Sequence, residues 1–171
     1  VTGVSITLDF KAESAVAALT EILARGANLA PLMANIGASL VVSTQHRFET
    51  GTGPSGEAWK PSIRAERDGG LTLVNTRRLL QSITFSADED SVEVGSNVLY
   101  SAIHQFGGTI KAKNGGALHF HVAGKKILVG AVKMPARPFL GLSAADNQKI
   151  LDLTQDYLVG DLTGGVSPVA S

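Results

Sequence analysis

His119 and His121 stand two residues apart. On a β-strand, side chains at i and i+2 leave the same face, and two imidazoles on one face are half of a zinc site. His104 is the candidate for a third ligand. A second group is basic: Arg64, Arg67, Arg77 and Arg78, with Glu66 and Asp68 among them. It suits a phosphate surface, or a protein interface, because a planar guanidinium grips a carboxylate at two points. Residues 51–56 are rich in glycine, and such loops cradle phosphate at helix N-termini. This one follows a predicted helix and lacks a trailing Gly-Lys-Ser/Thr, so it reads as a turn. Asp88, Glu89 and Asp90 are adjacent, which suits a solvated tip better than an acid–base pair. There is no Gly-x-Ser-x-Gly elbow. The 171 residues contain no cysteine, which excludes disulfides, thiolate zinc sites and thiol catalysis. The residues therefore offer no catalytic site, no complete metal site and no cofactor.

The elements that must carry these groups follow from periodicity. Val4, Ile6, Leu8 and Phe10 alternate as a strand. Val16, Leu19, Ile22 and Leu23 recur at helical spacing up to Gly26. A second helix is expected from about Asn28 to Phe48, with Pro31 in its first turn, where a missing N–H costs nothing. Asn75 or Thr76 is expected to cap a short helix bearing Leu79 and Leu80. Ile83 and Phe85, then Val92 and Val94, predict a β-hairpin around the acidic turn. A short helix is expected to end at Gly107-Gly108, with Tyr100, Ile103 and Phe106 pinning it to the sheet. Residues 110–134 read as a long two-stranded arm. Ser143 opens a last helix, with Asp146 as its capping-box partner, and Gly160 ends it.

The composition allows a real core, with 44% hydrophobic residues, and 171 residues suit one domain. Charge is balanced, 15 basic against 15 acidic side chains, which argues against gripping nucleic acid through a global basic field. Aromatics make up only 5%, too few for a single-strand stacking platform. No apolar run approaches the ~20 residues of a membrane span, and no basic-then-apolar leader opens the sequence. A soluble protein made in a reducing cytoplasm is the expectation. The fold class expected is α+β: a small, mostly antiparallel sheet packed by two or three helices, with a protruding β-hairpin arm. One domain over 1–160 and a tail at 161–171 are expected, with the 50–75 loop and the 110–134 arm as interface elements.

Three segments carry a resemblance. They are Pro54-Ser-Gly-Glu-Ala-Trp59, Tyr100-Ser-Ala-Ile-His104-Gln-Phe106-Gly107-Gly108 and Ala136-Arg137-Pro-Phe139-Leu-Gly141. With Leu79-Leu-Gln-Ser-Ile83 between them, this order resembles the phage virion morphogenesis family of Mu-like tail completion proteins, over about residues 10 to 158. One departure is visible: the family's usual threonine-glycine before the Leu-x-x-Ser-Ile helix reads Asn75-Thr76-Arg77. The resemblance implies a structural, non-enzymatic protein of the neck or upper tail of a tailed phage particle, made in the host bacterial cytoplasm. It implies a homo-oligomeric ring, with six copies favoured and twelve the alternative, around a channel that DNA crosses without sequence-specific binding. Neighbouring neck or head-closure proteins and tail tube proteins would be its partners, and no membrane is involved. On that reading the subunit-interface candidates are Trp59, Arg64, Arg67, Arg77, Tyr100, His104, Phe106, His119, His121, Arg137 and Phe139. Trp59 is equally suited to covering the chain's own core, and His104 is better suited to bonding a backbone carbonyl at a helix end than to a place between subunits. The alternatives are a metal-dependent hydrolase using the three histidines and a DNA-binding module using residues 64–78.

Overall fold

Proline without an N–H and glycine with a left-handed backbone delimit the longest helix. In the computed structural model, which describes residues 12–113, 116–122 and 125–160, α2 runs Ala30–Thr50 with Pro31 in its first turn. Gly51 ends it at φ 67°, donating its N–H to the Arg47 carbonyl. Helix α1 (Ala12–Gly26) precedes it, as the periodicity predicts. The strand expected at residues 4–10 and the tail at 161–171 lie outside the described residues. Among the described residues, no single helix is long and apolar enough to cross a membrane.

Against α2 lies a hairpin, β1 (Ile83–Ala87) and β2 (Val92–Ser96), paired antiparallel from Ile83↔Ser96 to Ala87↔Val92. The approach is close: a Cβ on Gly37 would stand 2.3 Å from the Phe85 ring, so glycine is required there. Helix α6 (Ala144–Val159) packs on both α1 and α2. Its capping box is complete: the Ser143 hydroxyl accepts from Asp146 N–H at 3.1 Å, and Asp146 Oδ2 accepts from Ser143 N–H at 2.8 Å.

The polar stretch after α2 contains a helix that periodicity does not reveal, α3 (Ile63–Asp68), capped by the Ser62 hydroxyl and closed by Gly69 at φ 71°. The next helix, α4 (Arg78–Gln81), is not capped by Asn75 or Thr76; its N-cap is Arg77, which makes no side-chain cap bond. Arg77 has φ 61°, a conformation that glycine adopts more readily. The stretch that departs from the family pattern thus contains a position suited to glycine.

Helix α5 (Ser101–Phe106) leads at Gly107 into the arm. Gly107 has φ 68°, and a Cβ there would lie 2.6 Å from Ala136 N, so both torsion and space demand glycine. The arm is a two-stranded ribbon in two stages. Strand β3 (Gly108–Lys111) pairs with β6 (Ala131–Met134), and β4 (Leu118–Val122) pairs with β5 (Lys125–Val129), all antiparallel. The architecture is α+β. Instead of one sheet, the described residues form three two-stranded ladders, because α5 and the glycines after it turn the chain away before the arm strands can extend the first hairpin.

The core sits where α2, the first hairpin and the 137–140 segment meet. It consists of Phe48, Trp59, Leu79, Ile83, Val98 and Phe139. The Phe48 ring meets Trp59 edge-on at 5.5 Å and Phe139 at 5.3 Å, geometries that aromatic quadrupoles favour.

Candidate functional site

The three segments that carry the family resemblance come together, and their chemistry is structural. Trp59 donates its indole N–H to the Pro138 carbonyl at 2.9 Å. Gln105 accepts the N–H groups of Phe139 and Leu140 on Oε1, each at 3.0 Å, and donates Nε2 to the Leu140 carbonyl at 2.9 Å. One amide side chain thus satisfies three backbone groups of an irregular segment, which otherwise has no ladder to join. Arg137 is buried; its Nε donates to the Lys60 carbonyl at 2.7 Å and one terminal nitrogen to the Pro61 carbonyl. Burial lowers its pKa from the ordinary arginine value without removing the charge. Arg137 thus reaches a distant part of the chain, and its partners are backbone carbonyls.

A second buried arginine grips the same segment from the other side. Arg47 donates to the carbonyls of Phe139 and Gly141, both at 2.8 Å, and pairs with the Asp146 carboxylate. Burial opposes ionisation of Asp146. Hydrogen bonds from Ser43 and Ser143, together with the Arg47 charge, outweigh it and hold the carboxyl below its ordinary value. Arg47 escaped the sequence reading: a lone arginine near a helix end gives no sign that its partner lies 99 positions away.

Trp59 and Phe139 therefore belong to the chain's own core, and neither is available to a neighbour's surface. His104 does not bond a carbonyl through its ring as expected. Its Nδ1 is buried without a partner, and its ring stands edge-on to Tyr100 at 5.8 Å. Burial, with the Arg137 charge beside it, lowers its pKa, so the ring is neutral at pH 7. An unsatisfied buried nitrogen costs about 1–3 kcal/mol. Phe106 does not pin its helix to the sheet; it is 78% exposed, and Tyr100 is partly exposed.

Arg64 donates to the Leu71 and Val74 carbonyls, closing the loop after α3. Arg67 forks onto its neighbour Asp68, a surface pair that contributes little. Arg77 is exposed. His119 and His121 are exposed on β4 and share a face, as period two demands. Opposite them on β5 stand Leu128 and Lys126, not further ligands. Among the described residues, no three His, Cys, Asp or Glu side chains converge on a metal position.

The other arm face carries Leu118, Phe120, Ile127, Val129, Val132 and Met134, all half-buried. Between this face and α3 runs a groove of about 750 Å³, lined by Ile110, Phe120, Met134, Ile63 and Arg64 among others. Among the described residues, no other strand pairs with the arm. Further apolar side chains are open to solvent: Val16, Leu19 and Leu23 along α1, and Leu99, which is 99% exposed. A small domain with such exposed apolar stripes presents contact surface.

The geometry thus sets out a buried clasp, a projecting ribbon and exposed apolar faces. The sequence profile of the phage virion morphogenesis family matches residues 10–159, and the chain belongs to that family. It is 37% identical over 147 residues to "Mu-like prophage FluMu G protein 2" of Haemophilus influenzae, covering 85% of this chain and 90% of that one. It is 32% identical over 126 residues to "Putative capsid assembly protein G" of Escherichia phage Mu, covering 68% and 71% respectively. No solved structure matches at a significant level.

Proposed function

We propose that this chain is a structural, non-catalytic component of a tailed phage virion. Copies form a ring at the neck or the head-proximal end of the tail, around the channel that DNA crosses. Membership in a virion morphogenesis family supports a role in particle assembly. The observation that carries the finer reading is the arm: among the described residues its strands pair only with each other, and β3 exposes all four residues. A ribbon edge of this kind offers unpaired backbone groups to a neighbouring strand. Ring subunits meet head to tail through unlike surfaces, and an arm reaching from one copy to the next supplies one of them. Six copies match tail symmetry and are favoured over twelve. Neck or head-closure proteins above and tail tube proteins below would be its neighbours, and DNA would pass without base-specific contacts.

The test is location. Particles carrying an epitope fused after residue 160 are labelled with gold-conjugated antibody and viewed by electron microscopy. Label at the junction of head and tail is expected. Label confined to capsid walls, or absent from intact particles, would overturn the reading.

A further inference from the structure

The first hairpin has two unlike ends. At its base, beside Ser82 and Asn97, lies an open cleft of about 810 Å³ lined by Arg78, Asn97, Leu99 and Tyr100 among others, with no carboxylate in its lining. Leu99 projects there, 99% exposed. Arg77 and Arg78 are both exposed and form no ion pair with any described residue. At its tip, Asp88, Glu89 and Asp90 are exposed and likewise pair with no described cation. Beside this acidic turn is an apolar groove of about 460 Å³, lined by Met33, Leu40, Asp90, Val92, Leu142 and Ile150 among others.

Each end lacks what the other offers. The base has a leucine without a pocket and arginines without carboxylates. The tip has a pocket without an occupant and carboxylates without cations. Five residues of paired strand, from Ile83↔Ser96 to Ala87↔Val92, hold the ends about 17 Å apart at ~3.3 Å per residue. The two cannot meet within one chain.

We propose that they meet between copies: Leu99 of one copy enters the groove beside Asp90 of the next, with Arg77 and Arg78 facing residues 88–90. The leucine supplies apolar burial and the charges set register and orientation. Because the two patches differ, the contact is heterologous and propagates in one direction until it closes into a ring. The proposal rests on the reading that copies of this chain assemble, and adds which surfaces touch.

Charge reversal in the full chain tests it. Two variants are made, R77E/R78E and D88K/E89K/D90K. Self-association is followed by sedimentation velocity from micromolar to millimolar concentration, with the melting temperature as a check on folding. Each variant alone is expected to associate at least roughly tenfold more weakly than wild type. An equal mixture of the two should recover assembly, because every contact in an alternating ring then pairs opposite charges. L99D should weaken association independently of salt, whereas the wild-type charge contribution fades as salt rises. Rings that persist in both reversals, or a mixture that fails to recover, would overturn this contact and leave the ring reading standing. A wild-type chain that stays monomeric at millimolar concentration would overturn both. If R77E/R78E loses duplex DNA binding with self-association unchanged, the base is a phosphate surface and the proposal falls.

Discussion

The body and the arm spend their hydrophobic and polar residues differently. In the body, irregular segments are tied down by specific side chains: Gln105 and Arg47 hold residues 139–141, and Arg137 holds residues 60–61. Phe48 and Phe139 are fully buried. In the arm, no residue of β3 is buried, and half-buried and exposed positions alternate over residues 118–121 and 126–129. Its order comes from its own ladders. A two-stranded ribbon alone is marginally stable in water, so the arm gains from a surface to lie on. The body explains why the chain folds; the arm explains why it would need neighbours.

The comparison can be broken most directly in the core. Phe139→Ala removes a fully buried ring held against Phe48 and is expected to cost about 4 kcal/mol, read as a lower urea midpoint. Asp146→Ala leaves Arg47 buried without its carboxylate and should cost ~3 kcal/mol. A loss below about 1 kcal/mol in either variant would show that the clasp does not hold the body as described.

Acid should act on the body in two stages. The folded-state pKa of His104 lies below its ordinary 6.5. The unfolded chain therefore takes up this proton first, and stability falls as pH drops through 6.5 toward the lowered folded value. Asp146 also has a folded pKa below its ordinary 3.8. Its contribution is intact above that value and is lost as pH falls through it. Melting temperatures between pH 7 and 5 should therefore decline in the wild type and stay flatter in H104Q. Parallel curves for the two would remove His104 as the cause.

On the arm, H119S/H121S should change stability by no more than about 0.5 kcal/mol, as exposed positions usually do. Zinc should bind neither protein stoichiometrically; one tightly held zinc per wild-type chain, lost in this variant, would revive the metal reading.

Much of the body was legible because its signals are local. Pro31, Gly51, the Ser143 capping box and the alternation around residues 88–90 each act within a few residues. The arm was legible from alternation too, though not its division into two ladders. What the sequence hides is who covers whom. Trp59 in a polar loop fits core or interface equally well until Pro138 is placed beside it. Phe106 falls on a helical face with Tyr100, yet that face is open. The stripe of α1 reads as core-facing, and three of its residues are exposed. Periodicity reports that a face is apolar, not that this chain buries it. The Arg47–Asp146 pair has no local signature at all.

The central claim is that the body folds alone and the arm serves assembly. Native mass spectrometry tests it on two proteins: the full chain, and a chain in which residues 112–130 are replaced by a two-residue turn. The account predicts a closed oligomer of six, or of twelve, for the full chain. It predicts a folded monomer for the truncated one, with a melting temperature close to wild type. A truncated chain that still closes into the same ring, or that fails to fold, would contradict it.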